Sequence, residues 1–182
     1  AGARPAPAAE RTPILVYTAL EADDLKKYKA AFERDVPDVE IRWVRDSTGV
    51  VTAKLLAERD NPQADVVWGL VATSIVELAQ SGLIEPYAPK GLEAVGARYR
   101  DPADPPRWVG MEALVATVCV NAVEAKKLGL PTPTSWKDLT QPVFKGHVSM
   151  PDPSSSGTGL FNVASWLQAF GDEGGWAFMK AL

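Results

Sequence analysis

The feature that most constrains this chain is the alternation of apolar, strand-like runs with amphipathic, helix-like ones through its first half. Ile14-Leu15-Val16-Tyr17 is a continuous apolar run of strand length. Glu21 to Arg34 follows with Leu25, Tyr28 and Phe32 at helical spacing and charged residues opposite them. Val39 to Val44 alternates as a half-buried strand does, and Arg45 to Gly49 reads as a loop. Val50 to Asp60, carrying Leu55 and Leu56, predicts a second helix that Asn61-Pro62 stops. Ala64 to Trp68 is another short strand and Thr73 to Gln80 a third helix, with Gly82 where a C-terminal glycine belongs. This β-α-β-α-β-α order predicts a parallel sheet with helices on its faces.

The second half reads differently. Tyr87 to Trp108 is loop-like and rich in proline, and Met111 to Asn121 is a long apolar run expected to be a strand. Ala122 to Leu128 predicts a short helix, and Pro131 to Leu139 a turn with a helical stub capped by Ser135. Gly146 to Met150 is expected to be another strand, leading into Pro151-Asp152-Pro153-Ser154-Ser155-Ser156-Gly157-Thr158-Gly159 and then a helix from Leu160 to Phe170. A last helical pattern, with Trp176, Met179 and Ala181, runs to Leu182. The organisation expected is a tether at 1–12, a first α/β lobe at 13–110, a crossover strand at 111–121 and a partial, truncated second lobe at 122–182.

The Ser-rich tract carries the strongest chemical signal. A loop feeding a helix N-terminus offers amides without internal partners at the positive end of the helix dipole. Serine and threonine hydroxyls add donors, and Gly157 and Gly159 allow a ligand close to the backbone, which together describe an anion site. No Asp or Glu occurs between Ser154 and Gly171, so no carboxylate inside that stretch competes. The alternative is a flexible Ser-rich linker; the apolar residues Phe161, Trp166, Leu167 and Phe170 immediately after it argue for a tighter join.

Bulk properties narrow the function classes. The 182 residues carry a net charge of −4, with no Lys/Arg run, which argues against a nucleic-acid partner. The longest apolar run, Ala113 to Val120, falls far short of a membrane span and is expected to be interior strand. One histidine, His147, and one cysteine, Cys119, exclude zinc fingers, CxxC pairs and HExxH helices. Cys119 is expected as a buried small hydrophobe, and His147 as structural or at the surface, not catalytic. A disulfide within the chain is impossible, which leaves the compartment open. Ala1 to Pro13, rich in alanine and proline, resembles the tether left when an export signal is removed; a cloning scar would look similar. No cofactor is expected.

Ligands of open α/β sheets bind beyond the carboxyl ends of the strands. Those ends are Thr18-Ala19-Leu20-Glu21, Asp46-Ser47-Thr48-Gly49 and Trp68 to Thr73, to which the Ser154–Thr158 loop adds a fourth segment. Thr18, Ser47, Thr48 and Thr73 each have an ordinary alternative reading as helix caps. Glu21 is equally well a plain surface helix start.

These segments, with Asp65-Val66-Val67-Trp68-Gly69, Glu124 to Pro131 and Thr134-Ser135-Trp136-Lys137-Asp138-Leu139, resemble the type 2 periplasmic solute-binding proteins of ABC importers. More narrowly, the chain is similar to the 2-aminoethylphosphonate-binding group, relatives of the ferric-ion-binding proteins. The resemblance implies a periplasmic, non-enzymatic receptor of two α/β lobes. Its ligand, a small anionic or zwitterionic phosphonate, would be held in the cleft between them and delivered to an ABC permease. On that reading Ser155, Ser156, Gly157 and Thr158 hold phosphonate oxygens, while Thr18, Ala19, Ser47 and Thr48 face them. Glu21 would take the ammonium group, with the Trp68 ring assisting through a cation–π contact.

Two alternatives stand beside it. A ferric-iron receptor of the same fold would need oxygen ligands, and Leu70, where relatives place one, cannot supply any. An enzyme acting on a phosphorylated small molecule would need machinery that is missing: no Walker lysine, no Gly-x-Ser-x-Gly elbow and no base beside the Ser-rich loop are present.

Overall fold

The computed structural model describes residues 11–182. The expected tether therefore lies outside the described residues except at its end, where Thr12 already opens the first strand. The chain divides into two compact units, the first ending at Met111 and the second spanning Glu112–Leu182.

The first unit is built on three parallel strands, β1 (Thr12–Thr18), β2 (Val39–Arg45) and β3 (Val66–Trp68), in the order β2-β1-β3. Helices α1 (Ala22–Asp35), α2 (Thr48–Ala57) and α3 (Ala72–Gln80) come after the strands in turn. The register aligns Val16 with Trp43 and Val66, and Thr18 with Arg45 and Trp68, so the three carboxyl ends finish together. Central β1 has neighbours on both sides only from Val16 onward, so Pro13, which has no N–H to give, stands where one side is unpaired. Val16, Tyr17, Leu25, Ile41, Val51, Leu78 and Ala79 form the core.

Parity along the strands gives the sheet two different faces. Trp68 packs on Tyr28 of α1 (4.9 Å between ring centroids) and on Trp43 of β2 (5.4 Å). The alternate residue Tyr17 is buried and donates its hydroxyl to Glu58 (2.9 Å). Lys54 pairs with the same carboxylate and lies over the Tyr17 ring. Burial and the Glu58 bond hold the Tyr17 phenol above its ordinary pKa.

Beyond α3, Leu83 to Gly110 is irregular apart from short 3-10 turns at Leu92–Ala94 and Ala97–Tyr99 and a single bridge of Arg100 to Val109. An ion pair organises this loop. Asp101 is buried and accepts from the Arg107 side chain (2.7 Å), the Arg107 amide (3.1 Å) and the Ala103 amide (3.3 Å). The Arg107 guanidinium also donates to Ala79 O at the end of α3 (3.2 Å), tying loop to helix.

The second unit contains α4 (Ala122–Leu128), 3-10 turns at Trp136–Thr140 and Pro142–Phe144, and α5 (Gly157–Ala181). Asn121 caps α4 by accepting the Glu124 amide (3.1 Å). Asp138 accepts the amides of Thr134 and Ser135 (2.7 and 2.9 Å) and the Thr134 hydroxyl, which hold its carboxyl below the ordinary range. Gly171 (φ 73°, ψ 167°) breaks α5 into two pieces. Trp166 then contacts Phe178 across the break (5.2 Å) and meets Trp136 edge-on (5.4 Å, 76°). Leu139, Phe144, Trp166 and Phe178 are this unit's buried apolar side chains.

Two expected strands are absent. Met111 to Asn121 takes no regular structure, and Leu114 (50% exposed), Val115 (77%) and the free Cys119 face solvent. The apolar run has strand character, but among the described residues no neighbouring strand completes a ladder with it. Gly146 to Met150 likewise forms no strand: Gly146 has φ +78°, the His147 amide bonds back to Phe144 O (2.9 Å), and Val148 to Met150 takes no regular structure.

Candidate functional site

The best-formed site in the second unit is the start of α5. Asp152, just before the serines, organises the loop. Its main-chain oxygen accepts the amides of Ser155 (3.2 Å) and Ser156 (2.8 Å), and its carboxylate accepts the amide and hydroxyl of Ser154 (2.8 and 2.7 Å). The Ser154 bonds hold the Asp152 carboxyl below its ordinary pKa. This corrects the expectation of an uncontested tract: the competing carboxylate lies two residues before Ser154 and takes Ser154 for itself.

Asp152 does not take the hydroxyls of Ser155 and Ser156 or the amides of Gly157 and Thr158. Ser156 is the N-cap and its hydroxyl accepts the Gly159 amide (3.3 Å). Gly157 and Thr158 present amides that have no acceptor among the described residues. Gly159 seats the helix against the loop: a Cβ there would lie 2.5 Å from Pro151 O and 2.9 Å from Pro153 N. A side chain at 159 would thus push the helix off the backbone that shapes its own N-terminus. Ser155 and Ser156 are half-buried, Gly157 is buried and Thr158 is exposed. Together these groups form a small set of donors at the positive end of a helix, suited to a tetrahedral oxyanion.

In the first unit, the carboxyl ends of β1, β2 and β3 bring the other candidates onto one rim. Thr18 is fully buried and its hydroxyl accepts the Leu20 amide (3.1 Å), so it shapes the turn through Ala19. Ser47 is the N-cap of α2, yet its side chain makes no capping bond. The amides of Thr48, Gly49 and Val50 have no acceptor among the described residues, while the Ser47 amide bonds the Asp46 carboxylate (2.7 Å). Thr48 is buried in the first turn of α2. The capping explanation for Ser47 is therefore not realised, and its hydroxyl is uncommitted.

The two residues expected to read an ammonium group have partners of their own. Glu21 pairs with Arg45 at the end of β2 (3.0 Å), and Trp68 stacks within its aromatic trio. Arg45 escaped sequence reasoning because a charged residue closing an alternating strand looks like ordinary solvent-facing pleat. The signal available was its place directly before Asp46-Ser47-Thr48, at the strand end where ligands gather.

The chain is 36% identical over 148 residues to an uncharacterized protein of Haemophilus influenzae, covering 80% of this chain and 43% of that one. It is 32% identical over 150 residues to a probable ABC transporter periplasmic-binding protein, y4fP, of Sinorhizobium fredii, covering 77% of this chain and 39% of the relative. Among solved structures, the periplasmic binding protein AfuA from Actinobacillus pleuropneumoniae, with exogenous fructose-6-phosphate bound, superposes at TM-score 0.80 and 29% identity. That match covers 95% of this chain and 55% of AfuA, so the chain spans about half of the similar structure and less of the curated relatives. The fold is accordingly the α/β periplasmic-binding-protein fold with a parallel sheet. Residues 61–182, which take in β3 and α3 as well as the whole second unit, match the bacterial extracellular solute-binding protein family, and the chain belongs to that family.

Proposed function

We propose that this chain is part of the periplasmic solute-binding component of an ABC importer, and that its solute carries a phosphonate or phosphate group. The observation that carries the reading is the start of α5, where the Gly157 and Thr158 amides lie unpaired beside the hydroxyls of Ser155 and Ser156. A dianionic XO3 group matches several convergent donors better than a carboxylate does, because it offers three oxygens in a cone. The likeness to AfuA, solved with a sugar phosphate, supports the same headgroup chemistry. 2-Aminoethylphosphonate and a sugar phosphate share that headgroup and differ in the organic part attached to it. The proposed contacts are Ser155, Ser156, Gly157 and Thr158 in the second unit, with Ala19, Ser47 and Thr48 in the first and Thr18, Glu21 and Trp68 shaping that rim. The partner proposed is the permease, to which the loaded receptor presents its solute. No catalytic step is assigned to any residue.

Thermal unfolding of the full-length protein with 2-aminoethylphosphonate, fructose-6-phosphate, inorganic phosphate or Fe(III) tests the reading. A phosphonate or phosphate ligand at a hundred times its dissociation constant stabilises the folded state by about 2.7 kcal/mol. Stabilisation by Fe(III) alone, with a coloured complex, would replace this reading with the iron receptor. Gly157→Asp puts a negative charge among the amides and is expected to abolish binding.

A further inference from the structure

The first unit's rim holds one cation whose placement helix capping does not explain. Arg45 ends β2, paired in register with Thr18 of β1. Its guanidinium reaches across to the β1–α1 turn, where Nε donates to Leu20 O (2.7 Å) and Nη2 to Glu21 Oε2 (3.0 Å). Two bonds to two different groups fix the plane and direction of the fork. Nη1 has no acceptor among the described residues, and the side chain remains 40% exposed. Glu21, 80% exposed, meets no other cation in the described structure. The remaining carboxylate at this rim, Asp46, accepts the Ser47 amide.

Resting on the proposed function, we infer that Arg45 is an anion contact of the first unit's own rim, where the amides of Thr48, Gly49 and Val50 are also unpaired, and that Glu21 serves to hold the guanidinium in place instead of receiving an ammonium. A clamped guanidinium presents its free Nη edge already oriented, so a phosphoryl oxygen gains a charge-assisted bond without first ordering a long side chain. An ammonium brought to the remaining Glu21 oxygen would instead sit close to the Arg45 guanidinium and be repelled by it, the carboxylate's charge being already shared. The pair therefore biases the rim toward phosphate esters and acidic phosphonates, and against amine-bearing ones.

Titration calorimetry of the full-length protein with fructose-6-phosphate and 2-aminoethylphosphonate separates the roles. Arg45→Gln should weaken whichever ligand the wild type binds by about 10-fold, the scale of a hydrogen bond to a charged group. Arg45→Lys should recover only part of this, since an ammonium cannot hold carbonyl and carboxylate as a fork does. Glu21→Gln should weaken both ligands by the same few-fold factor, through loss of positioning. Unchanged affinity in Arg45→Gln, when Gly157→Asp binds nothing, overturns this inference while the anion site stands. A Glu21→Gln variant that loses 2-aminoethylphosphonate alone overturns it too, because Glu21 then reads the amine. If the wild type binds neither compound, the underlying function fails and this inference with it. Far-ultraviolet circular dichroism and unliganded melting of each variant report whether a loss is one of folding.

Discussion

Two apolar runs in this chain look alike in sequence and end in opposite states. Ile14 to Tyr17 becomes the central strand of a parallel sheet, buried at Val16 and Tyr17, whereas Ala113 to Val120 stays irregular and mostly exposed. The first has β2 on one side along its whole length and β3 on the other from Val16. The second has no ladder among the described residues. Apolar character makes a segment able to be a strand; hydrogen-bonding neighbours decide whether it is one.

That contrast can be broken by truncating side chains on each side of it. Leu78→Ala removes a fully buried side chain from the first unit and is expected to cost about 3 kcal/mol in urea unfolding. Leu114→Ala, on the exposed run, should change stability by less than about 0.5 kcal/mol. Equal effects would mean that the exposed run is buried in solution. Next in size is Gly159→Ala, whose Cβ meets the main chain of Pro151 and Pro153. It should cost about 2 kcal/mol and weaken anion binding together, read by unfolding and calorimetry.

Acid sharpens the comparison within the first unit. The Arg107 side-chain bonds, with the Arg107 and Ala103 amides, lower the Asp101 carboxyl from 3.8 to about 2. A depressed folded-state pKa means that the contribution to stability is complete above about pH 4 and fades as pH falls toward 2. Asp101→Asn should lower the melting temperature at pH 7 and flatten the acid limb of the melting profile in that window. A variant whose acid limb matches the wild type would show that other carboxylates set it. The smallest effect separates the serine N-caps of α2 and α5. Ser156→Ala loses a cap bond and should cost about 1 kcal/mol, while Ser47→Ala, which loses none, should cost only a few tenths.

Much of the first unit was legible because period-2 and period-3.6 patterns alternate there with clear stops, such as Asn61-Pro62 and Gly82. The helices at 122–128 and after Gly157 were legible for the same reason. The strands expected at 111–121 and 146–150 were not, since pairing is a property of neighbours and no local pattern encodes it. At the site, the donors around Ser155–Thr158 were legible because hydroxyl residues and glycines stand directly before a helical apolar pattern. Asp152 and Arg45 were missed because each acts through one specific geometry, a carboxylate accepting from the residue two places ahead and a guanidinium crossing from a strand end to the β1–α1 turn.

The aromatic packing has an optical consequence. Trp43 and Trp68 sit 5.4 Å apart in the first unit, and Trp136 and Trp166 sit 5.4 Å apart in the second. At such separations the indole transitions couple as excitons, and the resulting dichroic bands vanish once the rings lose their fixed angle. Each unit thus carries its own built-in chromophore pair. Trp43→Phe silences one and Trp166→Phe the other, so the melting of either half can be tracked without a label.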